Sequence, residues 1–193
     1  MLIPKVKKTS PALWAVHRHI ALHEAGHAIV AEVLGLTVLN VEVSIWHRER
    51  RHISCCRFAG WRTQPTPTIH AAILSAGDAA EDHNLLYPKA AMDIYQGMQW
   101  GESKPIRPVS DDQQIAEIAS MQQAVTGKDP SSKPQKASFC FAAWRMAREV
   151  ISDRRRELNT LADELMAYGV VEGEQVRKIL QLTTGCRVAA CSP

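Results

Sequence analysis

With 193 residues, 46% of them hydrophobic and 22% charged, the chain is sized for one folded domain with an ordinary apolar core. That composition excludes wholesale disorder, collagen-like repeats and a disulfide-dense miniprotein. A formal charge of +3, from 23 basic against 20 acidic residues, is too weak a field to hold nucleic-acid phosphates or an anionic membrane, so partner choice must come from a local site.

Residues 1–10 form a basic tail with Lys5, Lys7 and Lys8. No apolar segment with a small-residue cleavage site follows it, so a cytoplasmic location is expected. Ser10-Pro11 is a helix-start signal, because a serine side chain caps orphan amides and proline is tolerated in the first turn. Leu13, Val16, Ile20, Ala28, Val30, Val33 and Leu34 then recur at helical spacing before Gly35, which predicts one long helix over about 11–34. This helix is too interrupted to span a membrane, since Ile20 to Leu36 includes His23, Glu24, His27 and Glu32.

Alternation of Val41, Val43 and Ile45, a charged turn around Arg48 to Arg51, and then Ile53 and Cys55 predict a hairpin over 38–58. After Pro65 and Pro67, the small residues Ala72, Ala76 and Ala80 with Ile69 and Ile73 predict a second helix to about Leu86. Gly97, Gly101, Pro88, Pro105 and Pro108 make 87–110 a long loop. Ser110 caps a third helix carrying Asp111 and Asp112 in its first turn and ending near Gly127. A polar linker, 128–136, leads to a long helix with Phe141, Trp144, Ile151, Leu158, Leu161 and Leu165 on one stripe, closed by Gly169. A short helix over 174–182 and a tail over 183–193 complete the single domain. Five cysteines (Cys55, Cys56, Cys140, Cys186, Cys191) without any C-x-x-C predict reduced thiols.

His23-Glu24-Ala25-Gly26-His27 matches H-E-x-x-H within the first predicted helix. Positions four apart lie on one face, about 6 Å along the axis, so two imidazoles can converge on one metal. Zn²⁺ is the natural occupant, because neutral imidazoles suit it and a catalytic site keeps three protein ligands plus a water whose pKa falls to about 7. Glu24 would take that water's proton and deliver it to the leaving amine. His17 and His19 are expected to face solvent. The metzincin continuation needs Gly and His where Val30 and Val33 stand, which leaves two carboxylates as third-ligand options: Glu81 in Ala79-Ala80-Glu81-Asp82, and Asp112 in Ser110-Asp111-Asp112.

At these residues the chain resembles the peptidase domain of the FtsH-type ATP-dependent zinc metalloproteases. His23-Glu24-Ala25-Gly26-His27-Ala28 is similar to that family's HEAGHA box, and 74–81, Leu-Ser-Ala-Gly-Asp-Ala-Ala-Glu, to its LGGRAAEE segment. Ser110-Asp111-Asp112 resembles its SND segment, and Val171-Glu172-Gly173-Glu174 the turn of its closing helices. Asp78 stands where the family has Arg, and Asp111 replaces its Asn.

The resemblance implies a mainly α (α+β), zincin-like helical peptidase domain with a small β-hairpin. It implies a Zn²⁺ site of His23, His27 and Asp112, with Glu24 as catalytic base and Glu81 orienting a ligand. The implied activity is a zinc metalloendopeptidase acting on unfolded or flexible polypeptides. Because the chain has no G-x-x-x-x-G-K-[ST] motif, hydrolysis is expected to be ATP-independent or to depend on a separate ATPase or adapter. A catalytically idle zinc-binding interaction module is the alternative. The strand 38–46 is a candidate edge for pairing with an extended peptide.

Overall fold

Apolar residues point to all sides of the segment from Ile20 to Ala31, interrupted by His23, Glu24 and His27, and this decides the architecture, because a helix with apolar residues all round must be enclosed on all sides. In the computed structural model, which describes residues 11–46, 51–61, 66–82, 115 and 133–188, this segment is α1 (Pro11–Val33). Val16, Ile20, Ala21, Leu22, Ala25, Ala28, Ile29, Val30 and Ala31 are all buried along it. The helix stops at Gly35, whose φ of 87° lets Leu36 N–H reach back to Ala31 O at 2.8 Å.

The predicted hairpin forms as β1 (Val38–Trp46) and β2 (Arg51–Phe58), antiparallel with Val41 opposite Cys56 and Ser44 opposite Ile53. A third strand adds to it. After α2 (Pro67–Leu74), α3 (Ala76–Asp82), α4 (Lys133–Asp153) and α5 (Arg155–Tyr168), the short strand β3 (Val170–Glu172) pairs antiparallel with β1, followed by α6 (Gly173–Val188). Among the described residues the strand order is β2-β1-β3, so β1 is central and β2 is an outer edge there. This corrects the expectation that 38–46 is free for edge addition. Val38, Val41, Val43 and Val171 are buried beneath the sheet.

Two predicted helices are each broken into a pair. The second divides at Ser75, whose Oγ donates to Ala71 O at 2.8 Å, a local side-chain bond that competes with helix continuation. The long C-terminal helix divides at Arg154, with φ −111° and ψ 25°. Its buried stripe runs through Ala143, Ala147, Ile151, Leu158, Leu161 and Leu165, whereas Phe141, expected on that stripe, is 61% exposed and stacks on Trp144. Helix α4 begins inside the predicted linker, and α6 continues through the predicted tail to Val188. Gly169 ends α5 in the left-handed conformation at φ 76°, as the sequence suggests. The predicted loop 87–110 and the turn 48–50 lie outside the described residues. So does the predicted third helix apart from Ile115, which is helical and buried.

Among the described residues the chain is thus mainly helical with a small three-stranded antiparallel sheet. Helix α1 is surrounded by α3, α5 and the sheet, with α2, α4 and α6 completing the enclosure. Polar ties fix its two ends. Arg18 pairs with Asp163 and donates to Asn159 Oδ1 at 2.8 Å on α5. Glu32 Oε1 accepts from Val38 N–H and from Arg177 Nη1, each at 2.9 Å, locking α1 to β1 and α6. Among the described residues no helix is long and apolar enough to cross a membrane.

Candidate metal centre

Helix geometry brings His23 and His27 together: their rings are 4.6 Å apart between centroids and nearly perpendicular. Each ring is held by an acceptor from outside α1. His27 Nδ1 lies 2.7 Å from Ile73 O of α2, and a carbonyl only accepts, so Nδ1 carries the proton. His23 Nδ1 lies 2.8 Å from Glu81 Oε1 of α3, and a carboxylate accepts in the same way. In both rings the lone pair therefore sits on Nε2. Two imidazoles anchored in this way through Nδ1 leave Nε2 of each as the atom that could meet a metal ion.

Glu24 is 6% exposed on the same helix. Its charge acts on Cys55 and Cys56 of β2, so the outer strand of the sheet runs past this carboxylate. Burial pushes both thiols above their ordinary range. For Cys55, the nearby Arg57 opposes that rise and Glu24 adds to it; for Cys56, Glu24 also adds to it. Both cysteines are half-buried free thiols and, with Cys140, match the expectation of reduced cysteines.

The backbone at the start of α3 is moulded to the His23 ring. A Cβ placed on Gly77 would stand 2.3 Å from His23 Cε1 and 2.5 Å from both ring nitrogens, a separation that real side chains do not tolerate. Gly26, inside the H-E-x-x-H box, is similarly pressed against α3, where a Cβ would lie 2.5 Å from Ala76 O and 2.8 Å from Ala80 Cβ. The helices carrying the histidines and their supporting carboxylate therefore cross in backbone contact.

Of the two carboxylates predicted as third ligand, Glu81 is beside His23, and Asp112 lies outside the described residues. Ile115, three residues along from Asp112, packs with Ala71, Ala72 and Leu74 of α2, the helix whose Ile73 carbonyl holds His27. Donor atoms of His23, Asp78 and Glu81 also lie within 4.8 Å of one another.

Two residues of the site escape sequence reasoning. One is Gly77. The other is His19, expected at the surface but 3% exposed, with Nε2 3.2 Å from Glu81 Oε1. Its signal is the i−4 spacing from His23, which places 19, 23 and 27 on one stripe. The other expected surface histidine, His17, is half-buried. No protein-family model matches the chain, and no curated protein does.

Proposed function

We propose that the chain is a zinc-dependent metalloendopeptidase whose ion is held by Nε2 of His23 and of His27, with Asp112 as third ligand and Glu24 as general base. The observation that carries this reading is the matched pair of outer anchors, Glu81 on His23 and the Ile73 carbonyl on His27, which aim two lone pairs from one helix face. The donor set fits zinc, which takes neutral imidazole nitrogen and carboxylate oxygen and keeps an open position in catalytic sites. Support for Asp112 comes from the sequence resemblance and from Ile115, which packs on the helix that anchors His27. Glu81 is read as the residue that orients His23, because it faces the protonated nitrogen.

Bound zinc would supply the acidity that brings a coordinated water's pKa to about 7. Glu24 then receives the water's proton on its carboxylate and returns it to the leaving amine. Its burial keeps bulk water from competing for that proton. The outer strand β2, passing Glu24, is the edge on which an extended substrate segment would align its backbone. Edge pairing demands a stretch free of its own structure, so unfolded or flexible polypeptides are the substrate class, delivered directly or by a separate ATPase or adapter.

The test is cleavage of casein by the zinc-loaded chain, its loss with a chelator and its return with zinc. Glu24→Gln should retain zinc by elemental analysis and lose about 10²–10⁴-fold in rate. Asp112→Ala should lose zinc. Zinc bound at one equivalent without any cleavage would instead identify an idle zinc-binding interaction module, and a chain that takes up no zinc would refute both.

A further inference from the structure

We infer that His23, Asp78 and Glu81 form a second divalent-cation site, at the Nδ1 side of the His23 ring, and that excess zinc entering it turns the centre off. The effect on activity rests on the zinc reading above; the site itself does not. One donor atom from each of the three residues lies within 4.8 Å of the other two. Zinc bonds of about 2.0–2.2 Å to nitrogen and carboxylate oxygen set the ligands of one ion about 3.3–4.3 Å apart, so small side-chain movements close this set on an ion. The set mixes an imidazole with two carboxylates, donor types that zinc takes. It is also reachable, because Asp78 is exposed and the His23 and Glu81 side chains are 21% and 22% exposed.

Two elements hold these donors together. Asp78 and Glu81 are three residues apart on α3 and so share one face of it, where two like charges repel and a cation relieves the repulsion. His23 comes from α1, and the backbone of Gly77, beside Asp78, presses on its ring so closely that no Cβ fits between them. The ring edge at Nδ1 is thereby kept against α3, 2.8 Å from Glu81 Oε1. A divalent ion entering here takes the Nδ1 lone pair and both carboxylates as ligands, and the Nδ1 proton leaves to solvent. His23 then faces a cation at each nitrogen, and Glu81 is drawn away from orienting it. Two like charges on one ring oppose each other, so each ion weakens the other by the same factor.

Equilibrium dialysis of the full chain against rising zinc, with bound metal counted by elemental analysis, tests the site. The parent should take up two equivalents, the second more weakly. Asp78→Asn, nearly isosteric and at an exposed position, should keep the first equivalent and lose the second, with an unchanged thermal melt of the metal-free chain. His27→Ala lies outside the trio and should do the reverse, losing the first and keeping the second. Casein cleavage by the parent should fall as the second equivalent loads, whereas Asp78→Asn should withstand the same excess of zinc. A parent that binds zinc but takes up no more than Asp78→Asn overturns the inference and leaves the zinc reading intact, and so does cleavage that stays constant while the second equivalent loads. A chain whose bound zinc is lost in Asp78→Asn and untouched in His27→Ala keeps the site and defeats the reading of His23 and His27 as ligands of one ion. A parent that binds no zinc defeats both.

Discussion

A single hydrogen atom at position 77 decides where the His23 ring can stand. Any Cβ there would occupy the space of Cε1 and both ring nitrogens, so Gly77→Ala should force the ring off its anchor on Glu81. Zinc affinity is expected to fall about 10–100-fold by chelator competition, while the helical signal stays near that of the parent. The H-E-x-x-H pair was legible in the sequence because four-residue spacing and helical periodicity are both local. Gly77 was not, because nothing in an Ala-rich stretch says which small residue faces another helix's side chain. His19 shows the same limit in another form. Spacing puts it on the right stripe, but only the arrival of α3 converts that stripe from surface into interior.

At the scale of elements, the crossing of α1 and α3 sets the distance between the histidines and their support. Gly26 and Ala76 bring the two backbones together, and a backbone carbonyl cannot retreat as a flexible side chain does. Gly26→Ala should therefore destabilise the fold by about 1–3 kcal/mol, read as a lower urea midpoint at unchanged slope. Helix α1 and the hairpin were legible almost to the residue, since their periodicities are strong and their ends carry Gly35 and a charged turn. The breaks at Ser75 and Arg154 were not. The first depends on a serine hydroxyl choosing its own helix's carbonyl, and the second interrupts an apolar stripe that continues in register on either side. Phe141 misled because its position follows that stripe, yet small residues, Ala143 and Ala147, make the contact.

For the whole molecule, the central placement of α1 carries ionisable groups into the core, and stability inherits a pH dependence from them. Burial pushes His19 below its ordinary value of 6.5; the Glu81 carboxylate pulls it upward and His23 downward. Because the folded value is the lower one, the unfolded chain binds this proton first. The stabilisation is complete above pH 6.5 and is lost as pH falls from there toward the folded value. Urea midpoints of the metal-free chain should decline as the pH falls below about 6.5, and His19→Leu should flatten that part of the curve.

The three residues of β3 have a consequence far larger than their length. They cover one flank of β1, where Val41 faces Val171 and Val43 N–H meets Gly169 O at 2.7 Å. Cutting the chain after Tyr168 would leave that flank's amides and carbonyls bare on a strand of valines, a template that a second molecule can extend. Light scattering of the shortened chain should reveal growing aggregates at concentrations where the parent scatters constantly. The last turn of the polypeptide onto its own sheet is, in this sense, a guard against polymerisation.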